Sequence, residues 1–295
     1  MNRTQLRSFH AAAELGGFTA AAKALRISQP TVTTQVRELE AEYGVELFIR
    51  QGRHVQLTQS GIELFEITKR VTLHEEEARE FLKAQAGRIT GHLRLAAVGP
   101  FHATDVLVAL KTQHPDVQVS VLLGNSQLTL RKLLQFDADV AMIAHFDDDP
   151  RVEMIPYSRH RVIIFVNAEH RWFGRQSIRL AELEDEDFIF REEGSTTRQA
   201  FEQALEKADV SINKVVEIGS REAVWKAVEQ GLGIGAVADF EFVPHPRLKT
   251  VEIADVEITT NYHIAYLKER RNSRLVQAVV AISRNIGANS GAYDS

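Results

Sequence analysis

"ISQPTVTTQVRELE", at Ile27–Glu40, decides the fold of the N-terminal part of the chain. Ser28 is a natural helix N-cap, and Pro30 falls in the first turn, where a missing backbone N–H is harmless. The apolar residues recur at helical spacing and predict a buried face made of Val32, Val36 and Leu39. The other face is neutral and rich in short hydrogen-bonding side chains, which favours contact with a surface of donors and acceptors.

Two shorter helices are predicted before this stretch. The first is Thr4–Leu15, which Gly16-Gly17 ends. The second is the Ala-rich segment Ala20–Leu25, with Thr19 as its expected N-cap. A tight turn, Arg26–Gln29, leads into the next helix, and helix, turn and helix with an exposed polar face predict a helix-turn-helix.

A hairpin and a long helix are predicted next. "LFIRQGRHVQLT" (Leu47–Thr58) alternates on both sides of Gln51-Gly52, which predicts a β-hairpin with two arginines at its tip. From Gln59 to about Ala86 a stretch without proline predicts one helix of roughly 40 Å. A partial apolar stripe on this helix predicts pairing with a second chain, through Leu64, Val71, Ala78 and Leu82.

From His92 onward, short apolar runs alternate with helical segments, which predicts an α/β unit with buried strands. The runs are "HLRLAAV", "VQVSVLL", "ADVAMIA", "VIIFV", "FIF", "VVEIG", "GIGAVA" and "YHIAYL". Helices are expected at Ala103–His114, Leu128–Gln135 and Ser273–Ile286, and a disordered tail at Gly287–Ser295.

The composition is that of an ordinary globular protein, with 44% hydrophobic and 25% charged residues in a chain of 295, enough for two domains. A net charge of −5 argues against a protein that coats nucleic acid, but allows a small DNA-binding module. The absence of cysteine excludes disulfides, thiolate metal sites and a cysteine nucleophile. Without an apolar leader or a membrane-length apolar run, the chain is expected to be cytoplasmic, with no membrane partner.

Candidate DNA contacts lie at the start of the Ser-capped helix. In a helix-turn-helix this end enters the major groove, where Gln reads adenine and Thr contacts the thymine methyl group. The candidates on this helix are Ser28, Gln29, Pro30, Thr31, Thr33, Thr34, Gln35 and Arg37. Arg50 and Arg53 on the hairpin are placed for phosphate contacts, which fix register. The alternative is an ordinary solvated helix and hairpin.

Candidate ligand contacts lie where strands end and helices begin, the edge at which open α/β sheets bind ligands. Helix N-termini there present free N–H groups to anions. "GSTTR" (Gly194–Arg198) is the strongest of four such segments, because it adds three hydroxyls and a cation. The candidates are Gly99, Pro100, Phe101, His102, Asn125, Ser126, Gly194, Ser195, Thr196, Thr197, Arg198 and Ser220. For a ligand with an amine, Glu222 and Asp239 are candidate acids; simple helix caps and surface carboxylates are the alternative.

The order of these parts resembles that of LysR-type transcriptional regulators over essentially the whole chain, as do "FTAAAKALRISQPTVTTQVRELE", "GVELFIRQGRHVQLTQSG" and "AVEQGLGIGAV". The resemblance implies an α+β protein overall: a winged helix-turn-helix (1–58), a linker helix that dimerises (59–90), and a two-lobed α/β effector domain resembling periplasmic binding proteins (91–295). Lobe I would comprise about 91–161 and 268–295, and lobe II about 162–267. Thr33-Thr34 departs from the family's common Ser-Arg, so no charged contact carries over to position 34.

The resemblance also implies the partners: double-stranded DNA, a small anionic effector and further copies of the chain, as a dimer and tetramer. RNA polymerase is a candidate partner, and no cofactor is implied. A closer similarity to regulators associated with aminoethylphosphonate catabolism implies a zwitterionic phosphonate as effector. It rests on "SQPTVTTQVRELE", "GNSQ", "GSTTR" and "EIGSREAVWKAVEQGLGIG".

Two other classes of protein fit less well. A secreted solute-binding protein would need an export leader, and none is found. An enzyme lacks support, because "GLGIG" precedes a strand and neither a His-Glu-x-x-His nor a Gly-x-Ser-x-Gly motif occurs. Asp147-Asp148-Asp149 reads as a solvated loop rather than a metal site.

Overall fold

The computed structural model describes residues 1–51, 54–84, 89–144 and 149–289. The chain forms two compact units, Met1–Leu82 and Lys83–Ser295, and each is considered by itself. Within the described ranges, no helix is long and apolar enough to cross a membrane. Arg53, Asp147 and Asp148 lie outside the described residues, as does the side chain of Arg50.

The first unit has the predicted order of helices and hairpin. Its elements are α1 (Arg3–Glu14), α2 (Phe18–Leu25), α3 (Gln29–Tyr43), β1 (Phe48–Gln51), β2 (His54–Leu57) and α4 (Gln59–Ala84). Ser28 caps α3 as expected, accepting from the Thr31 N–H at 3.2 Å. The expected cap at Thr19 is wrong: Gly17 is the N-cap, because Phe18 already belongs to α2 and packs its ring on Phe48.

The core of this unit confirms the buried face predicted for α3. Val32 and Val36 are fully buried and Leu39 nearly so, against Phe9 and Phe48. The carboxylate of Glu40 on α3 accepts the Leu47 and Phe48 N–H groups at 2.8 and 3.2 Å, which positions the antiparallel hairpin.

The linker helix α4 packs its first half on this core. Thr68 is buried and hydrogen-bonded to His10 Nδ1 at 3.0 Å, and Leu64 is half-buried beside the same core. At Gly61 a Cβ atom would lie 2.1 Å from the Leu47 carbonyl oxygen, so α4 approaches the hairpin closely only with glycine there. Leu64 is therefore not free for a second chain, unlike the other members of the predicted stripe.

The second unit alternates strands and helices. Its elements are β3 (Gly91–Ala97), α5 (Pro100–Gln113), β4 (Val117–Leu123), α6 (Ser126–Leu134), β5 (Val140–Ala144), β6 (Val152–Asn167), β7 (Ser177–Ile178), β8 (Asp187–Arg191), α7 (Thr196–Lys207), β9 (Asn213–Ile218), α8 (Arg221–Glu229), β10 (Gly235–Ala238), β11 (Leu248–Ile253), β12 (Thr259–Leu267) and α9 (Arg274–Asn289). The main sheet has the order β4-β3-β5-β12-β6-β11-β7, with β10 also paired to β6 and β8 paired in parallel to β9.

Strand β6 runs through two lobes. Its first part pairs with β12 up to Arg161, and from Val162 onward it pairs with β10 and β11. One hydrophobic core surrounds β3, β5, α5 and α9, and another surrounds β8 and α7. Tyr262 and Ile264 of β12 belong to the first of these cores, so the packing places β12 in lobe I rather than in the 162–267 lobe expected from the sequence.

Three local expectations are corrected. Strand β4 is largely exposed rather than buried, because within the described residues it pairs with β3 alone at the sheet edge. "VIIFV" is only the second half of the much longer β6. Helix α9 extends to Asn289, so the start of the expected disordered tail is helical, and residues 290–295 lie outside the described residues.

Candidate functional sites

The first turns of α3 form an exposed neutral surface. Ser28, Gln29, Pro30, Thr31, Thr34 and Arg37 are all exposed. The Gln29 side-chain amide donates to Thr33 Oγ1 at 3.3 Å, and that hydroxyl donates to the Gln29 carbonyl oxygen at 3.0 Å. These bonds restrict the Gln29 side chain, which lowers the entropy lost when it makes a further contact.

Gln35 differs from its neighbours on this helix. It is half-buried, and its Oε1 accepts a hydrogen bond from Ser8 Oγ, which is buried on α1. Gln35 therefore lies at the flank of the exposed face. Its amide joins α1 to α3 and holds the helix whose first turns are exposed.

Arg26 is a feature that the sequence did not single out. It ends α2 in the left-handed conformation, with φ +56°, at the turn before α3, and its side chain is exposed. Such a backbone costs a non-glycine residue about 1 kcal/mol. The arginine places a cation beside the exposed face of α3; only the tight turn around it was visible in the sequence.

A cleft of about 200 Å³ lies in the second unit. It is lined by the ends of β3, β4, β8 and β9 and by the starts of α5, α6 and α8: Val98, Gly99, Pro100, Leu123, Gly124, Asn125, Arg191, Glu192, Gly219, Ser220, Arg221 and Glu222. All four strand-to-helix segments predicted from the sequence therefore contribute residues to this lining, and three of them also contribute their helix starts. Their helices, α5, α6 and α8, begin with free N–H groups and a partial positive charge.

Two of these helix starts are capped by side chains. Asn125 Oδ1 accepts from the Leu128 N–H at 2.8 Å, and its Nδ2 donates to Glu192 Oε1 at 3.1 Å. Ser220 Oγ accepts from the Ala223 N–H at 3.4 Å and donates to Glu222 Oε2 at 2.8 Å. Gly99 begins α5 without a side-chain cap, so this helix start has backbone donors available to a ligand.

The charged groups of the cleft were largely missed by the sequence reasoning. Arg221 Nη2 donates to Glu241 Oε1 at 2.6 Å, and Arg191 Nε donates to Glu192 Oε2 at 2.8 Å. Burial raises the pKa of Glu241, although Arg221 and Arg191 act in the opposite direction. The signal for Arg221 was its place in "IGSREA", directly after a capping serine.

The "GSTTR" segment does not line the cleft. Ser195 and Thr197 are buried, at 6% and 8% exposure, and Ser195 Oγ caps α7 by accepting from the Arg198 N–H at 3.4 Å. The Arg198 guanidinium binds Glu202, Glu217 and the Arg191 carbonyl oxygen, each at 2.8 Å. The Arg198 guanidinium is thus bound to partners within the second unit, and Thr196 is half-buried.

His102 and Asp239 belong to a cluster behind the cleft. His160 Nδ1 donates to Asp239 Oδ1 at 3.0 Å, and its Nε2 lies 3.1 Å from His102 Nε2. The His102 ring stacks on Phe240 at 4.1 Å; burial, followed by the neighbouring His160, lowers the His102 pKa to about 4. Asp239 is therefore bound to a histidine and does not line the cleft.

The remaining candidates are Phe101 and Ser126. Phe101 packs edge-on to Phe240, away from the cleft lining. Ser126 is buried at the start of α6, and within the described residues its hydroxyl has no hydrogen-bond partner. In the same ranges, no group of three or more His, Cys, Asp or Glu residues is arranged to hold a metal ion.

Comparison with known proteins identifies relatives for both units. The family described as "Bacterial regulatory helix-turn-helix protein, lysR family" matches residues 4–62, and the "LysR substrate binding domain" matches residues 86–286. The RuBisCO operon transcriptional regulator of Allochromatium vinosum is 30% identical over 94% of this chain and 92% of its own. The HTH-type transcriptional activator CmpR of Synechocystis is 28% identical over 92% of this chain and 91% of its own.

Solved structures share the fold. A full-length OxyR variant from Pseudomonas aeruginosa has a TM-score of 0.78 at 23% identity, covering 96% of this chain and 95% of its own. Full-length CbnR complexed with its target DNA has a TM-score of 0.71 at 23% identity, covering 97% of this chain and 100% of that chain. The regulatory domain of Synechocystis CcmR in complex with 2-PG has a TM-score of 0.62 at 22% identity, covering 68% and 99%.

Proposed function

Because this chain belongs to the LysR family of bacterial transcriptional regulators, we propose that it reads DNA with the start of α3 and responds to a small anion or zwitterion in the cleft of its second unit. Its relatives are regulators, so the chain is a regulator and not an enzyme. In this proposal residues 1–58 bind DNA, α4 joins two copies, and 91–295 sense the ligand.

The exposed face of α3 supports DNA reading. Gln29, Thr31 and Thr34 present amide and hydroxyl groups, with a methyl group on each threonine, and these are the groups that distinguish bases in the major groove. Arg26 and Arg37 are exposed nearby and supply cations for phosphates. The related CbnR fold was solved with its target DNA, which fits this use of the unit.

An exposed apolar stripe on α4 supports pairing with a second copy of the chain. Ile67, Val71 and Phe81 are 49%, 43% and 51% exposed, and Ala78 is also exposed. Positions 67, 71, 74, 78 and 81 alternate steps of four and three residues, the spacing of a coiled-coil seam. In this proposal the seam starts at Ile67 instead of Leu64, with His74 as its polar member. We expect the full chain to sediment as a dimer or tetramer at micromolar concentration; a monomer would contradict the pairing.

The convergence of three helix N-termini and two arginines on one cleft is the observation that carries the ligand proposal. Backbone N–H groups and guanidinium groups replace the water that an anion loses on entering a cleft. Glu192 and Glu222 on the same lining supply acids for an ammonium group. This charge pattern fits a zwitterion, and 2-aminoethylphosphonate is the specific effector we propose, with its phosphonate at Gly99, Asn125 and Arg221.

The test is a thermal-shift screen of the full chain with 2-aminoethylphosphonate, inorganic phosphate, small carboxylates and amino acids. A ligand that binds only the native state raises the melting temperature. At a ligand concentration of a hundred times its dissociation constant, it adds about 2.7 kcal/mol to the free energy of unfolding. A response to the phosphonate above that to its carboxylate analogue supports the proposed effector. A response to carboxylates alone would mean that the effector is a carboxylate and not the phosphonate. No response to any anion would overturn the anion-sensing proposal.

A further inference from the structure

We propose that an anion entering the cleft is bound together with a proton, which Glu241 takes up from water as Arg221 turns its charge toward the ligand. This inference rests on the anion-binding function proposed above. It assigns Glu241, which does not line the cleft, the role of linking ligand binding to pH.

Arg221 stands between the cleft and the buried carboxylate. Its side chain lines the cleft, and its Nη2 donates to Glu241 Oε1 at 2.6 Å. Glu241 lines a second cavity, of about 10 Å³, behind the same stretch of Val98 and Gly99. A Cβ atom at Gly99 would lie 3.1 Å from both Arg221 Nη1 and Glu241 Oε1. One guanidinium group is therefore within reach of both the carboxylate and a ligand at the start of α5.

Burial raises the pKa of Glu241, and Arg221 contributes most among the groups that stabilise it as an anion, ahead of Arg191 and the Ala238 backbone N–H, which also act to lower its pKa. The Glu241 side chain is 2% exposed, and the small cavity beside it is otherwise lined by Val98, Gly99, His102, Met142, Phe240 and Tyr262. The charged and titratable groups that face it from other elements are Arg221 of α8, Arg191 of β8, Tyr262 of β12 and His102 of α5. Tyr262 and His102 are neutral near pH 7, since burial raises the pKa of the tyrosine and lowers that of the histidine to about 4.

An anion at Arg221 disturbs this arrangement in one direction. It competes with Glu241 for the guanidinium donors, and it brings a second negative charge close to a buried carboxylate. Both effects disfavour the ionised carboxyl, and a buried acid that loses its cation becomes neutral by binding a proton. In this step one proton leaves water or buffer and one O–H bond forms on Glu241, so the ligand and a proton are bound together.

Glu222 gives the internal contrast. It lies on the cleft lining, and its pKa is lowered by its own backbone N–H at the start of α8 and by the Ser220 hydroxyl. It therefore stays ionised when an anion binds, and it remains available to an ammonium group. Two glutamates of one site are thus expected to respond oppositely, because one is stabilised as an anion by a helix start and the other is buried.

The experiment is titration calorimetry of the full chain in buffers that differ in ionisation enthalpy at one near-neutral pH. The probes are 2-aminoethylphosphonate and sulfate, which has no titrating group in that range. For the wild-type chain the measured enthalpy should vary with the buffer, with a slope equal to the uptake of up to about one proton. The affinity should then fall with rising pH by up to about tenfold per pH unit.

Two variants assign the proton to its residue. Glu241→Gln should abolish the buffer dependence for sulfate and leave only the phosphonate's own protonation, whereas Glu222→Gln should keep the wild-type slope. Binding without buffer dependence in the wild-type chain, or an unchanged slope in Glu241→Gln, would overturn the inference while leaving the anion cleft in place. If Glu241→Gln folds poorly, the dependence of the wild-type enthalpy on the buffer with sulfate still tests whether a proton is taken up. Failure of every anion to bind would overturn the anion-sensing function and this inference together.

Discussion

The starts of α3 and α7 have the same local chemistry but different surroundings. Each helix has a serine N-cap followed within three residues by threonine: Thr31 in α3, and Thr196 and Thr197 in α7. At α3 Ser28 and Thr31 are exposed, whereas at α7 Ser195 is 6% and Thr197 8% exposed. A capping sequence therefore predicts where a helix begins, but the elements packed around it decide whether that end can meet a ligand.

The arginines near two helix starts of the second unit give the largest expected difference. Arg221→Ala should lower the free energy of unfolding by about 3 kcal/mol, because it leaves Glu241 buried without its cation. Arg198→Ala should cost only about 1 kcal/mol, since its partners Glu202 and Glu217 are 43% and 38% exposed. Chemical denaturation measures both, and adding Glu241→Gln to Arg221→Ala should restore most of the loss. Equal costs for the two arginines would contradict this assignment.

Acid should destabilise the second unit through His102. Its pKa is lowered from 6.5 to about 4 by burial, so the folded state resists its protonation. The corresponding stability is fully present above about pH 6.5 and is lost as the pH falls toward 4, by at most about 3 kcal/mol. His102→Phe, which keeps a ring against Phe240, should flatten the melting temperature over that range. A variant with the same acid sensitivity as wild type would refute the role of His102.

The exposed amide on α3 should matter for sequence reading, and a matched amide on α7 should not. Gln29→Ala is expected to weaken binding to a cognate operator by about 1–3 kcal/mol and to relax preference at one base pair. Gln199→Ala, exposed in the early part of α7, serves as the control and should leave operator affinity unchanged. Fluorescence anisotropy at fixed salt measures both affinities. Unchanged sequence specificity in Gln29→Ala would contradict the proposal that Gln29 of α3 reads the DNA sequence.

The smallest effects should come from the two caps themselves. Ser28→Ala and Ser195→Ala each remove a side-chain acceptor from a helix start, so each should lower the free energy of unfolding by about 1 kcal/mol. Ser28→Ala should also weaken DNA binding, since the helix end it orders is the exposed one. Ser195→Ala should leave operator binding intact, and a DNA defect in that variant would blur the distinction between the two helices.

Helical spacing in the sequence was enough to predict the buried face of α3, since Val32, Val36 and Leu39 needed only a core on one side. The position of polar segments at the ends of predicted strands also indicated that these segments meet, and those holding Gly99, Asn125 and Ser220 do line one cleft. Long-range pairing was not predictable. Glu241 lies twenty residues beyond Arg221 and contacts it only because of the way the lobe folds. The side-chain partners that satisfy Arg198 likewise come from tertiary packing, which no local motif encodes.

Where the anion binds is the claim to test most directly, by calorimetry of 2-aminoethylphosphonate and sulfate with three full-length proteins. These are the wild type, Arg221→Ala, and the double variant Ser195→Ala/Thr196→Ala. The cleft predicts at least tenfold weaker binding for Arg221→Ala and a dissociation constant within about twofold of wild type for the double variant, because a charge-assisted bond contributes about 1.5–3 kcal/mol. Wild-type affinity in Arg221→Ala, with a loss in the double variant, would move the anion to α7 and contradict the account.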